Sequence, residues 1–149
     1  MPWPEMKALL TDIGTEELAH VEIISAILFQ LTDGLSIEEL KRAGMEDYFV
    51  DHTLGIYPNS AAGVPFNAAY FQSKGDPITD LCENMAAEQK ARTTYDNILR
   101  LVEDEDVCDV ITFLRQREIV HYQRFAEGLE FVKEKLNDKN YYAYNPSFD

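Results

Sequence analysis

Two of the three histidines in this chain follow a glutamate by one helical turn, as Glu17-Leu18-Ala19-His20 and Glu118-Ile119-Val120-His121, and both pairs lie inside apolar stripes of helical period. A carboxylate and an imidazole three residues apart project from one helix face, so both can reach the same cation. Ionisable side chains rarely enter a core unless they are paired or bound to metal. Glutamate is abundant here, and a single such pair would carry no weight. Two of them, each set among aliphatics, predict a helical bundle that gathers both pairs around a dinuclear metal site.

The first stripe runs Leu10, Ile13, Glu17, His20, Ile24, Ile27 and Leu31, which predicts a long amphipathic helix from about Pro4 to Leu31. Ser36-Ile37-Glu38-Glu39 reads as a capping box opening a short helix that Gly44 is placed to end. From Met45 to Gly75 the chain carries Gly55, Pro58, Gly63 and Pro65 without sustained period, so it is a long connection. Asp76-Pro77 offers an N-cap and a first-turn proline for a second long helix to about Val102, with Leu81, Met85, Glu88, Tyr95, Ile98 and Val102 on its seam. After the acidic turn and cap at Asp104 to Asp106, a third long helix is defined by Val107, Ile111, Leu114, Glu118, His121, Phe125, Val132 and Leu136.

This order predicts an all-α fold, a ferritin-like helical bundle whose one long connection is the crossover between its second and third helices. On that expectation the chain holds the second to fourth long helices of the four, plus the crossover, and the first lies upstream of Met1. Residues 1–149 suit a single domain with a sizeable core.

A net charge of −14 repels phosphate backbones and anionic headgroups, which argues against nucleic-acid and membrane partners. The N-terminus lacks the basic and apolar sections of a secretion signal, and no apolar run is long enough to span a bilayer. Cys82 and Cys108 carry no metal-ligand spacing and read as free thiols in a reducing compartment. A cytoplasmic setting follows from these features.

The candidate ligands are the two Glu-x-x-His pairs, with Glu88 as the lone carboxylate of its helix. Carboxylates favour manganese and iron and can bridge two ions, and the absence of cysteine from the seams argues against zinc or iron–sulfur chemistry. Glu16 and Glu22 flank the first seam and are expected to be solvated. Tyr95 shares the Glu88 face and borders the site or fills core. His52, in the long connection, reads as an ordinary loop histidine. The aromatic run Tyr141-Tyr142-Ala143-Tyr144 needs cover, from its own bundle or from a neighbouring subunit of a homo-oligomer.

The stretches from Asp12 to Glu22 and from Arg117 to Phe125 closely resemble the manganese catalases, with Ala87-Glu88-Gln89-Lys90-Ala91-Arg92 fitting between them. The closing Tyr144-Asn145-Pro146-Ser147-Phe148 is similar to the spore-coat, CotJC-type branch. The resemblance implies a dimanganese enzyme that disproportionates hydrogen peroxide to oxygen and water. It implies Glu17 as the bridging carboxylate, His20 as a ligand of one manganese, and Glu88 and His121 as ligands of the other. It gives Glu118 the catalytic part of a carboxyl that moves protons without binding metal. The family also has a glutamate ligand on a preceding helix, with no counterpart here, and Ala87 stands where some members carry arginine. Two alternatives stay open. One is a spore-coat or assembly protein that keeps the bundle without turnover, among other coat proteins; the other is a di-iron ferritin-like oxidase, since spacing does not choose manganese over iron.

Overall fold

The computed structural model describes residues 1–45, 49–51, 56–58, 64–70 and 73–136. In chain order the elements are α1 (Pro4–Thr32), α2 (Ile37–Arg42), β1 (Phe49–Asp51), β2 (Ile56–Pro58), α3 (Pro77–Leu99) and α4 (Glu105–Leu136). They gather into two compact units, one of Met1–Val21 with Ser73–Asp149 and one of Glu22–Gln72. His52 and the aromatic run at Tyr141 to Tyr144 lie outside the described residues.

In the first unit, α3 and α4 form an antiparallel hairpin across the turn that starts at Arg100, and the N-terminal part of α1 packs antiparallel to α4. Local chemistry starts each helix of the hairpin. The Asp76 carboxylate accepts from the Thr79 amide at 2.7 Å, with Pro77 at the first helical position, where its missing N–H costs nothing. Asp104 accepts from the Val107 amide at 3.1 Å and opens α4.

The buried positions of α4, Ile111, Leu114, Glu118, His121, Phe125, Gly128 and Val132, advance in steps of three and four, with Leu129 buried beside Gly128. On α3 they include Leu81, Glu88 and Tyr95, seven apart, as two turns of a packed seam require. One end of this unit is apolar. Met6 and Ile13 from α1, Ile78 and Leu81 from α3, and Phe125, Leu129 and Val132 from α4 make the core there, with Trp3 set edge-on to Phe131. Gly128 lets α1 approach closely, since a Cβ there would stand 2.8 Å from Leu9 Cδ2 and 3.2 Å from Met6 Sδ.

The second unit contains the crossover. The Ser36 side chain accepts from the Glu39 amide while Glu39 accepts from the Ser36 amide at 2.8 Å, so the capping box is complete. Gly44 follows the helix at φ 74°, the left-handed turn that ends it. The long connection departs from the sequence expectation in carrying regular structure, a single 3₁₀ turn at Ala68–Tyr70 included. It holds a short antiparallel ribbon pairing Phe49 with Pro58, Val50 with Tyr57 and Asp51 with Ile56. All the long elements are helices, and the architecture is the expected all-α, ferritin-like bundle.

Candidate metal centre

Because α1 and α4 run in opposite directions, their two Glu-x-x-His pairs meet head to tail. Glu17 lies beside His121, with Oε1 to Nδ1 2.7 Å, and His20 lies beside Glu118, with Nδ1 to Oε1 3.2 Å. The imidazoles of His20 and His121 stack with centroids 5.4 Å apart. Ligand atoms of Glu17, His20, Glu118 and His121 all fall within 4.8 Å of one another. Glu88 joins from α3, its Oε2 3.7 Å from His121 Nδ1. All five residues singled out in the sequence are thus brought together by three helices.

Burial sharpens what this cluster is for. His121 and Glu118 are 0% and 1% exposed in their side chains, whereas Glu17 is 42% exposed at the edge of the cluster. Glu17 Oε1, His20 Nδ1, both carboxylate oxygens of Glu118 and His121 Nδ1 are buried without a hydrogen-bond partner. Orphaned buried polar atoms are costly, and these face one another across distances at which lone pairs repel. A divalent cation converts every such contact into an attraction. Oxygen and nitrogen donors of this kind fit manganese or iron.

Electrostatics tells the same story. Burial pushes the Glu88 carboxyl up to about 9, and the neighbouring Glu118 and Glu17 carboxylates add to the rise. Tyr95, buried one seam step beyond, is pushed up to about 12, first by burial and then by the same three carboxylates. A groove of about 360 Å³ opens against the cluster, lined by Gly14, Glu17, Ala87, Glu88, Ala91 and Glu118 among others. The small side chains of Gly14, Ala87 and Ala91 leave that approach clear.

The structure departs from the sequence reading at Glu16, expected to be solvated. Its Oε2 accepts from His121 Nε2 at 2.9 Å and from Arg117 Nε and Nη2 at 3.1 and 2.5 Å, while Oε1 accepts from Arg124 Nη1 at 3.3 Å. Arg124 also donates to Asp12. Held this way, the Glu16 carboxyl is lowered to about 2, the His121 bond being the largest cause and Arg117 adding to it. The available signal was the pair of arginines flanking His121 on its own helix, four residues before and three after, with Glu16 as their counter-charge on the facing helix.

The chain resembles known proteins along nearly its whole length. The family described as manganese containing catalase matches residues 3–140. Protein CotJC of Bacillus subtilis (strain 168) is 50% identical over 131 residues, covering 88% of this chain and 69% of that protein. A manganese catalase of Lactiplantibacillus plantarum is 36% identical over 140 residues, covering 87% of this chain and 53% of that protein. Among solved structures, wild-type KatB, a manganese catalase from Anabaena, superposes with a TM-score of 0.77 at 28% identity, covering 98% of this chain and 65% of that one. The chain thus spans between about half and two thirds of the lengths of its relatives. No helix among the described residues is long and apolar enough to cross a membrane.

Proposed function

Since the chain belongs to the manganese-containing catalase family, we propose that it holds two manganese ions and disproportionates hydrogen peroxide, 2 H₂O₂ giving 2 H₂O and O₂. The observation that carries this reading is the set of orphaned, buried oxygen and nitrogen donors converging from three helices. Glu17, His20, Glu88 and His121 would hold the ions, with Glu17 at the shared position. When bound, the manganese pair supplies a two-electron reservoir, alternating between Mn(II) and Mn(III).

The chain's own residues do the rest. Glu118 is buried on the seam with neither oxygen hydrogen-bonded, so its carboxyl is free to take a proton from peroxide and return it to the water formed. The aliphatic core beside the cluster holds the donors in one geometry. The groove past Gly14, Ala87 and Ala91 admits a molecule as small as peroxide to the Glu17 side.

Protein produced in manganese-supplemented medium is expected to carry about two manganese ions per site and to release oxygen on an electrode at millimolar peroxide. Recovery of neither manganese nor iron would overturn the reading. His121→Ala is expected to abolish binding at one ion, and unchanged metal content would refute that ligand assignment. Catalase and ferroxidase assays run side by side separate manganese from iron chemistry, since the donor set serves both.

The exposure of Glu17 favours a second reading, in which the centre is kept as a structural element of a coat or assembly protein and does not turn over. A flat oxygen trace from metal-loaded protein would select it.

A further inference from the structure

We propose that Glu16, clamped by Arg117 and Arg124, is the positioning residue that sets the tautomer of His121, holding the proton on Nε2 and leaving Nδ1 bare toward the cation. The inference rests on the metal-centre reading above and extends it to a residue outside the ligand set. The His121 ring is fully buried and has a distinct neighbour at each nitrogen. Nε2 lies 2.9 Å from Glu16 Oε2. Nδ1 faces Glu17 Oε1 at 2.7 Å, Glu88 Oε2 at 3.7 Å and Glu118 Oε2 at 3.9 Å, with no hydrogen bond made.

An ionised carboxylate only accepts, so the nitrogen bonded to Glu16 has to be the donor. A neutral imidazole then has its lone pair on the other nitrogen, at the cluster. The arginines keep Glu16 in this part. Arg117 shares Oε2 with His121, and Arg124 holds Oε1 while donating to Asp12 on the previous turn of α1. With its charge already paired, Glu16 is not drawn inward as a ligand. Carboxylates that orient a ligating histidine in this way typically contribute 10–100-fold in metal affinity.

The test uses the full chain with ¹⁵N-labelled histidine. Long-range ¹H–¹⁵N correlation on the metal-free protein is expected to show His121 protonated at Nε2 alone, and Glu16→Ala is expected to give a mixture of tautomers. Manganese titration of Glu16→Ala is expected to show roughly 10–100-fold weaker binding at one ion. Glu16→Gln, whose amide oxygen still accepts from Nε2, is expected to recover most of that loss, which a merely structural role would not produce. If Glu16→Ala does not fold, Arg117→Met leaves α1 intact, removes two donors from Glu16, and is expected to weaken manganese binding several-fold.

A wild-type His121 protonated at Nδ1, or a Glu16→Ala protein with unchanged tautomer and unchanged manganese affinity, overturns the assignment while leaving the metal centre standing. Wild-type protein that shows the Nε2 proton but takes up neither manganese nor iron overturns the metal-centre reading instead and leaves control of the tautomer by Glu16 supported.

Discussion

A carboxylic acid that burial keeps protonated is a poor ligand until its proton leaves. Glu88 is in that condition in the metal-free protein, raised from 4.5 to about 9 by burial first and by its acidic neighbours second. The sign follows from linkage: a group raised on folding contributes stability that is complete below its unfolded value and is lost as pH rises through its folded value. Metal-free protein is therefore expected to lose thermal stability from about pH 5 towards pH 9, and Glu88→Gln, which cannot ionise, is expected to flatten that slope. Manganese entering at pH 7 must expel the proton, so the heat of binding should depend on the ionisation enthalpy of the buffer. A flat stability profile together with buffer-independent heats would remove Glu88 from the ligand set. At this scale Glu17, His20, Glu88, Glu118 and His121 were readable because a charged side chain in an apolar stripe breaks the expected pattern. Glu16 was not, because its partners lie 101 to 108 residues away on another helix and its own position falls just off the stripe.

The elements were legible wherever their ends carry local chemistry. Ser36, Asp76 with Pro77, and the acidic turn before α4 each mark a helix start with side chains that the chain needs there, whatever packs later. The ribbon of β1 and β2 was hidden because three-residue strands are too short to display alternation. Two glycines inside helices allow a paired test of packing. A Cβ at Gly14 meets nothing within 4 Å, so Gly14→Ala is expected to gain the helix propensity alone, about 1 kcal/mol, and to raise Tm by roughly 2–4 °C. Gly128→Ala gains the same propensity but drives a methyl to 2.8 Å from Leu9 Cδ2, and overpacking costs about 1–3 kcal/mol. The Leu9 methyl is the end of a flexible side chain, so the net change at Gly128 is expected between zero and about 2 kcal/mol of destabilisation. Thermal melts in which both substitutions shift Tm equally would show that α1 does not approach α4 as closely as Met6, Leu9 and Gly128 indicate.

For the molecule as a whole the acidity sets a problem that the proposed metal solves. Of 149 residues, 27 are acidic against 13 basic, and the interior adds a cluster of like-charged and lone-pair-bearing donors to that self-repulsion. A ligand that binds the folded state alone stabilises it by mass action, about 2.7 kcal/mol at a hundredfold excess over its Kd. For a chain of this size that corresponds to a rise of roughly 5–10 °C in Tm, reversed by a chelator. The acidic surface will also concentrate manganese loosely, so a rise by itself does not locate the ion. Salt separates the two contributions, because at 1 M the screening length is about 3 Å and surface attraction collapses while contacts inside a buried site persist. The manganese-induced rise is therefore expected to survive high salt in the wild type and to shrink markedly in His121→Ala under the same conditions. A rise that vanishes with salt, or that is as large without the His121 imidazole as with it, would assign the stabilisation to the surface and detach it from the Glu-x-x-His pairs.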